Sequence, residues 1–127
     1  MKVAVLLSGG IDSSTCLALA VRKNGAENVV AINIQYGQKH ERELQSAEKI
    51  AQYYGVEYRL IDLGFIFKDS NCSLLKHSSE EIVHKSYSEQ LNDIGGQGTV
   101  STYVPFRNGL MLSVAASIAQ SVGAKEI

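Results

Sequence analysis

Along the chain, apolar and polar positions fall into short blocks that alternate between unbroken apolar runs and helical stripes. Val3 to Leu7 (VAVLL) is an apolar run ended by Ser-Gly-Gly, the pattern of a parallel strand covered on both faces. From Asp12 to Lys23 the pattern turns helical, with Cys16, Leu17, Ala20 and Val21 on one stripe and Gly25 as a C-terminal cap. Val29 to Gln35 (VVAINIQ) is β-branched and apolar and reads as a second strand, broken by Tyr36-Gly37-Gln38-Lys39-His40. Glu41 to Tyr54 aligns Leu44, Ala47, Ile50, Ala51 and Tyr54 at helical spacing, and Gly55 closes it. Glu57 to Leu63 (EYRLIDL) reads as a third strand. Asn108 to Val122 is the clearest helix, with Leu110, Met111, Val114, Ala115, Ile118, Ala119 and Val122 in register and Gly123 at its end.

Strand, helix, strand, helix, strand with short turns implies parallel pairing through crossovers, hence an α/β sandwich in one domain, residues 1–127. Between Gly64 and Tyr103 the pattern weakens. Glu80 to Ile94 reads as a helix on Val83, Tyr87, Leu91 and Ile94, flanked by polar Lys68–Ser79 and by Gly95-Gly96-Gln97-Gly98. An excursion over a site and an ordinary surface insertion explain this stretch equally well. Ala124 to Ile127 stands where the next strand would begin, so a truncated sheet with an unfinished edge is expected, and a dimer through that edge.

Composition narrows the classes. At 127 residues the chain buries roughly two thirds of its unfolded surface as one domain. Lys plus Arg is 12 against 13 for Asp plus Glu, a net charge of −1, which gives no general attraction to nucleic acid or to an anionic membrane. No apolar run reaches the length of a membrane span and the N-terminus does not read as a signal peptide, so a cytoplasmic location is expected. The two cysteines, Cys16 and Cys72, lack C-x-x-C spacing and cannot complete a four-ligand zinc site. Asn71-Cys72-Ser73 has the form of a glycosylation sequon but no secretion signal to support it. His77 and His84 read as exposed.

The chemistry concentrates in three places. Ser8 to Ser13 lies beyond the carboxyl end of the first strand, where open parallel sheets bind ligands. Gly9 and Gly10 allow backbone angles barred to other residues, and successive N–H groups there, joined by those of the helix start, form an anion cup. Ser8, Ser13, Ser14 and Thr15 add hydroxyls, so phosphate or pyrophosphate is the favoured ligand. The loop is not a Walker A, a G-x-G-x-x-G or a G-x-S-x-G elbow. Asp12 either caps the helix or helps hold a magnesium ion among phosphate oxygens. A plain glycine turn is the alternative.

Tyr36, Gln38 and His40 stand on the same rim and offer an aromatic face and hydrogen bonds to a base or substrate, with a solvated loop as the alternative. Before the last helix, Pro105 rigidifies the entry, Asn108 suits an N-cap and Arg107 can reach an anion; a capped helix with a surface arginine is the bland version. Glu41 and Glu43 read as a solvated helix face.

The full hexapeptide Ser8-Gly9-Gly10-Ile11-Asp12-Ser13 resembles the S-G-G-x-D-S pyrophosphate loop of the ATP pyrophosphatases. With Tyr36-Gly37-Gln38-x-His40 and Tyr103-Val104-Pro105-x-Arg107-Asn108, in that order, the whole chain resembles the 7-cyano-7-deazaguanine synthase family of queuosine biosynthesis. That resemblance implies an adenine nucleotide alpha hydrolase-like sandwich, here incomplete. It implies a carbon–nitrogen ligase that turns 7-carboxy-7-deazaguanine and ammonia into the nitrile, using ATP and Mg²⁺ through an adenylated carboxylate. Leu7, Ser8, Gly9, Gly10, Ile11, Asp12, Ser13, Ser14 and Thr15 would bind the nucleotide. Tyr36, Gln38, His40, Arg107 and Asn108 would bind substrate, with Asp12 and Arg107 in catalysis. The family's four zinc-binding cysteines would lie beyond Ile127, so no metal site is expected in this chain, and little or no nitrile synthesis from it alone. No nucleic-acid or membrane partner is implied. A tRNA-modifying ATP pyrophosphatase and a non-catalytic nucleotide-binding module are the rival readings.

Overall fold

The computed structural model describes residues 1–37, 41–69 and 106–127. Gln38, His40, Cys72, His77, His84, Pro105 and the helix predicted over Glu80–Ile94 lie outside the described residues. Three strands, β1 (Val3–Leu6), β2 (Val29–Gln35) and β3 (Glu57–Asp62), form a parallel sheet in the order β1-β2-β3. Val3 stands opposite Val29, and Val30 opposite Glu57. Helices α1 (Ile11–Asn24) and α2 (Glu41–Tyr54) connect the strands, and α3 (Arg107–Ser121) follows.

The alternation of side chains along the strands divides the core in two. Val3, Val5, Leu7, Val29 and Ala31 face α1 and α2, where Leu17, Ala47 and Ala51 are buried against them. Ala4, Val30, Ile32 and Ile34 face the other way, onto Ala115 and Ala119 of α3. Both faces are therefore covered, which is why β1 and β2 read as apolar runs rather than alternating ones. Alanines at the helix contacts let the helix backbones approach the sheet closely. Larger side chains such as Leu17 and Ile32, buried completely, each stabilise the fold by about 1.5–3 kcal/mol.

The expected sandwich is thus observed, with shifts at the ends. β1 stops at Leu6 rather than Leu7, β3 at Asp62 rather than Leu63, and α3 runs Arg107–Ser121 rather than Asn108–Val122. Leu7 nevertheless stays in the ladder's path, its N–H donating to the Ile32 carbonyl at 2.8 Å. Cys16 corrects the predicted α1 stripe: it is exposed. The buried face centres on Leu17, and Cys16 lies about 100° round the helix from it.

After Gly123 the chain turns back to β1. Glu126 makes a parallel bridge to Val3, the Lys125 N–H donates to the Lys2 carbonyl at 2.8 Å, and the Ala4 N–H donates to the Glu126 carbonyl at 3.0 Å. The edge of β1 expected to be bare is therefore occupied at its amino-terminal end, by the residues expected to start the next strand. No helix among the described residues is long and apolar enough to cross a membrane.

A cleft across the carboxyl end of the sheet

Past β1, Leu7 is buried and Ser8 exposed, so the chain leaves the core within one residue. Gly9 then takes φ +90°, and a Cβ there would run into the Glu43 carbonyl and within 2.9 Å of the Ala47 nitrogen of α2. The glycine is required twice, by its backbone angle and by the close approach of the loop to α2. Gly10 is extended (φ −79°, ψ 171°) and is the N-cap of α1, with no side-chain cap. Asp12 is therefore not the cap; it sits exposed in the first turn. The first intrahelical bond runs from the Ser14 N–H to the Gly10 carbonyl, 3.1 Å. The N–H groups of Ile11, Asp12 and Ser13 precede it and have no intrahelical acceptor, which gives the helix start its positive end.

The hydroxyls around this turn bond among themselves. Ser8 and Ser13 share a hydrogen bond at 3.0 Å, and Ser13 Oγ also accepts the Ser8 N–H at 3.1 Å. The Gly10 N–H donates to Ser8 Oγ at 3.2 Å. Ser14 Oγ donates to the Gly10 carbonyl at 2.6 Å, and Thr15 Oγ1 to the Ile11 carbonyl at 2.8 Å. Ser14 and Thr15 thus back-bond to their own helix, while Ser8 and Ser13 form an exchangeable pair at the mouth of the turn. An arriving anion can replace that mutual bond with bonds to itself.

The opposite wall comes from the far end of the chain. Phe106, the N-cap of α3, sits in the left-handed region at φ 50° and turns the chain so that Arg107 begins the helix. Arg107 Nη1 donates to the Tyr36 hydroxyl at 3.3 Å, and its guanidinium carbon lies 5.6 Å from the Tyr36 ring centroid. Asn108 is the second residue of α3, not its cap; its Oδ1 accepts from Arg107 Nε at 3.4 Å. Tyr36 in turn meets the buried Phe67 ring edge-on, 6.1 Å between centroids.

Between the walls lies a cavity of ≈ 260 Å³ lined by Ser8, Asn33, Ile34, Tyr36, Glu43, Arg107, Asn108 and Met111. A second hollow, ≈ 230 Å³ and more apolar, shares Ser8, Asn33, Ile34 and Met111 with it and reaches Ser13 and Ile32. Of the residues singled out from sequence, Ser8, Tyr36, Arg107 and Asn108 line the larger cavity, and Ser8, Ser13 and Leu7 line the smaller. Thr15 and Ile11 are exposed on the first turns of α1 and line neither.

Six lining residues escaped sequence reasoning: Leu6, Ile32 and Ile34 are apolar strand residues, and the other three are Glu43, Met111 and Asn33. Glu43, read as part of a solvated face, borders the cleft because Gly9 docks on its carbonyl. Met111 was assigned to the core stripe alone. Asn33 is 3% exposed in the middle of β2, and its Nδ2 donates to the Tyr58 hydroxyl at 3.0 Å. A buried amide inside VVAINIQ was the available signal, since such a group is kept only where it is hydrogen-bonded.

The electrostatics are simple. The ion pairs among the described residues are Lys23–Glu126 and Arg59–Glu57, both far round the surface, so Arg107 has no carboxylate partner there. No group of three His, Cys, Asp or Glu side chains among the described residues is placed to hold a metal ion. The arrangement suits an anion held between helix-start amides and a guanidinium, with planar and apolar surface alongside.

A family model described as queuosine biosynthesis protein QueC matches residues 2–127. The chain is 38% identical over 127 residues to the 7-cyano-7-deazaguanine synthase of Oceanobacillus iheyensis, covering 99% of this chain and 52% of the relative. It is 41% identical over 128 residues to that of Thermoplasma acidophilum, covering 99% of this chain and 49% of the relative. The chain thus spans about half the length of the curated relatives it matches. Among solved structures, the glutamine-dependent NAD⁺ synthetase of Acinetobacter baumannii, in complex with ADP, superposes with a TM-score of 0.68 at 22% identity, covering 98% of this chain and 20% of that one. The NH₃-dependent NAD synthetase of Campylobacter jejuni gives 0.63 at 21% identity, covering 98% of this chain and 45% of that one. These likenesses identify the fold.

Proposed function

From the premise that this chain belongs to the queuosine biosynthesis protein QueC family, we propose that it carries the nucleotide half of an ATP-dependent 7-cyano-7-deazaguanine synthase. The observation that supports this most is the cleft itself: the Ser8–Ser13 turn faces Arg107 and Tyr36 across one cavity at the carboxyl end of the sheet. In this reading residues 1–127 form one nucleotide-binding domain.

A carboxylate is a poor electrophile with a poor leaving group, and adenylation supplies a better one. An oxygen of 7-carboxy-7-deazaguanine attacks the α-phosphorus of ATP and pyrophosphate leaves. Ammonia then adds to the acyl carbon, AMP departs and an amide remains. A second activation carries off the amide oxygen and leaves the nitrile. The residues contribute positioning and charge compensation. Backbone N–H groups at the start of α1, with Ser8 and Ser13, receive the departing pyrophosphate, and Arg107 adds positive charge from the facing wall. Leu7 to Thr15 shape that subsite, while Tyr36, Gln38, His40 and Asn108 belong to the substrate side.

Mg²⁺ fits as the companion of phosphate rather than as a resident of a protein cage: Asp12 is a single exposed carboxylate at the loop, so phosphate oxygens and water would complete the shell. It would offset charge on the phosphates. Zinc does not fit the described residues, where Cys16 stands alone and exposed; the family resemblance assigns it to cysteines beyond Ile127. Ammonia as nitrogen donor, a cytoplasmic location and a homodimer complete the reading.

Calorimetry of this chain with ATP and Mg²⁺ tests the nucleotide half: binding is expected, weakened several-fold by Asp12→Ala, and no heat of binding in the wild type would sink it. AMP release by a protein of the relatives' full length tests the substrate. Stimulation by the deazaguanine acid is expected; stimulation by tRNA instead would transfer the chain to the tRNA-modifying enzymes.

A further inference from the structure

We propose that Tyr36 is a positioning residue for the anion subsite, which holds the Arg107 guanidinium over the cleft without cancelling its charge. This rests on the nucleotide reading above and names the anion concerned, the pyrophosphate portion of the nucleotide. Tyr36 engages Arg107 in two ways, through its hydroxyl at 3.3 Å and through its ring face at 5.6 Å. Both are neutral partners. An aromatic face attracts a guanidinium within about 6 Å without cancelling its charge, whereas a carboxylate there would compete with an incoming anion. No carboxylate pairs with Arg107 among the described residues, although Glu43 borders the same cavity. Among the described residues the guanidinium thus meets no anionic partner, and it can offer an anion a charge-assisted, bidentate bond.

The ring that holds Arg107 is itself braced. Phe67, 4% exposed, meets Tyr36 nearly perpendicular at 81°. Phe67 closes a short 3₁₀ turn, Gly64–Phe67. That turn is tied to β2 by the Leu63 N–H donating to the Gln35 carbonyl at 2.7 Å, and the Gly64 N–H donates to Asp62 Oδ1 at 2.9 Å. Phe67, Tyr36 and Arg107 form a line of contacts running from the turn after β3, past the end of β2, to the start of α3. In this proposal Tyr36 acts on the anion through Arg107.

Magnesium pyrophosphate titrated into the chain tests this as a double-mutant cycle. Arg107→Ala is expected to weaken binding about tenfold, Tyr36→Leu nearly as much, and Tyr36→Phe, which keeps the ring, only about two- to threefold. The double variant Tyr36→Leu/Arg107→Ala should bind no worse than Arg107→Ala alone. If the two losses multiply instead, Tyr36 contacts the anion directly and the proposal falls while the nucleotide reading stands. A ligand-free arm tests these contacts: the Arg107 Nε–H resonance should carry an upfield ring-current shift, kept in Tyr36→Phe and lost in Tyr36→Leu. Absence of that shift in the wild type overturns the proposal whatever the titrations give. A wild-type chain with the shift that binds neither pyrophosphate nor ATP removes the nucleotide reading, and the anion-holding role with it.

Discussion

The two walls of the cleft are built by opposite means. In the Ser8–Thr15 wall every side-chain hydrogen bond joins residues no more than five positions apart. In the facing wall the Tyr36–Arg107 contact spans 71 positions. The first wall is built from β1, a glycine turn and the start of α1, with one long-range clamp where Gly9 meets α2. The second exists only when α3 lies on the sheet, because nothing local ties Arg107 to Tyr36. Local hydrogen bonding makes the first wall robust to loosening of the sandwich. Long-range assembly makes the second sensitive to it, through the contacts of Ala115 and Ala119 with Ile32 and Ile34.

The largest expected effect on binding breaks the local wall at its clamp. Gly9→Ala combines a left-handed backbone, costing about 1–2 kcal/mol, with a clash against α2 backbone of about 1–3 kcal/mol. A total loss of roughly 3 kcal/mol should lower the unfolding midpoint in a thermal melt and abolish nucleotide binding. An unchanged melt would mean that the loop does not dock on α2.

Next, Leu17→Ala empties the buried face beneath the same wall and should cost about 2–5 kcal/mol. Ala115→Ser should cost less, roughly 1–2 kcal/mol from a buried hydroxyl. Urea melts report both losses. Per kcal/mol lost, Ala115→Ser should reduce pyrophosphate affinity more, since it loosens α3 and with it Arg107. Equal sensitivity would erase the distinction between the walls.

Ser13→Ala sharpens it further. The variant removes the acceptor of the Ser8 N–H and the partner of Ser8 Oγ, worth about 1 kcal/mol in stability, and should weaken pyrophosphate binding more than Ser14→Ala. Ser14 back-bonds to Gly10, and loss of such a bond shifts stability by no more than about 0.5 kcal/mol. The smallest effect is expected at Phe106→Gly. It relieves a left-handed non-glycine residue, and the gain of up to about 1 kcal/mol is offset by losing the ring's packing on Gly109. A melt that rises, with pyrophosphate affinity slightly lowered, would show that the strain serves to aim Arg107.

Much of this was legible in the chain as written. Unbroken apolar runs at Val3 and Val29 marked strands covered on both faces, and the stripe through Ala115 and Ala119 marked the helix that covers one of them. Ser8-Gly9-Gly10-Ile11-Asp12-Ser13 marked an anion turn, because the backbone freedom and hydroxyls it needs are contiguous. The cap assignment failed at Asn108, and the capping alternative for Asp12 fell away, since capping depends on the backbone angles of Phe106 and Gly10 and not on side-chain type alone. Cys16 failed because a stripe read at helical spacing has no depth until the helix is laid on its sheet.

What the sequence determined by itself, then, is the elements among the described residues, the parallel class of the sheet and the hydroxyl-lined turn of the first wall, each of which is signalled by a pattern contiguous in the chain. The tertiary structure alone decided that Arg107 stands on Tyr36, that Glu43 and Asn33 border the cleft, and that Glu126 returns to Val3. These pairs lie far apart in the chain, and only the packing of α2, α3 and the last residues onto the sheet brings them within reach.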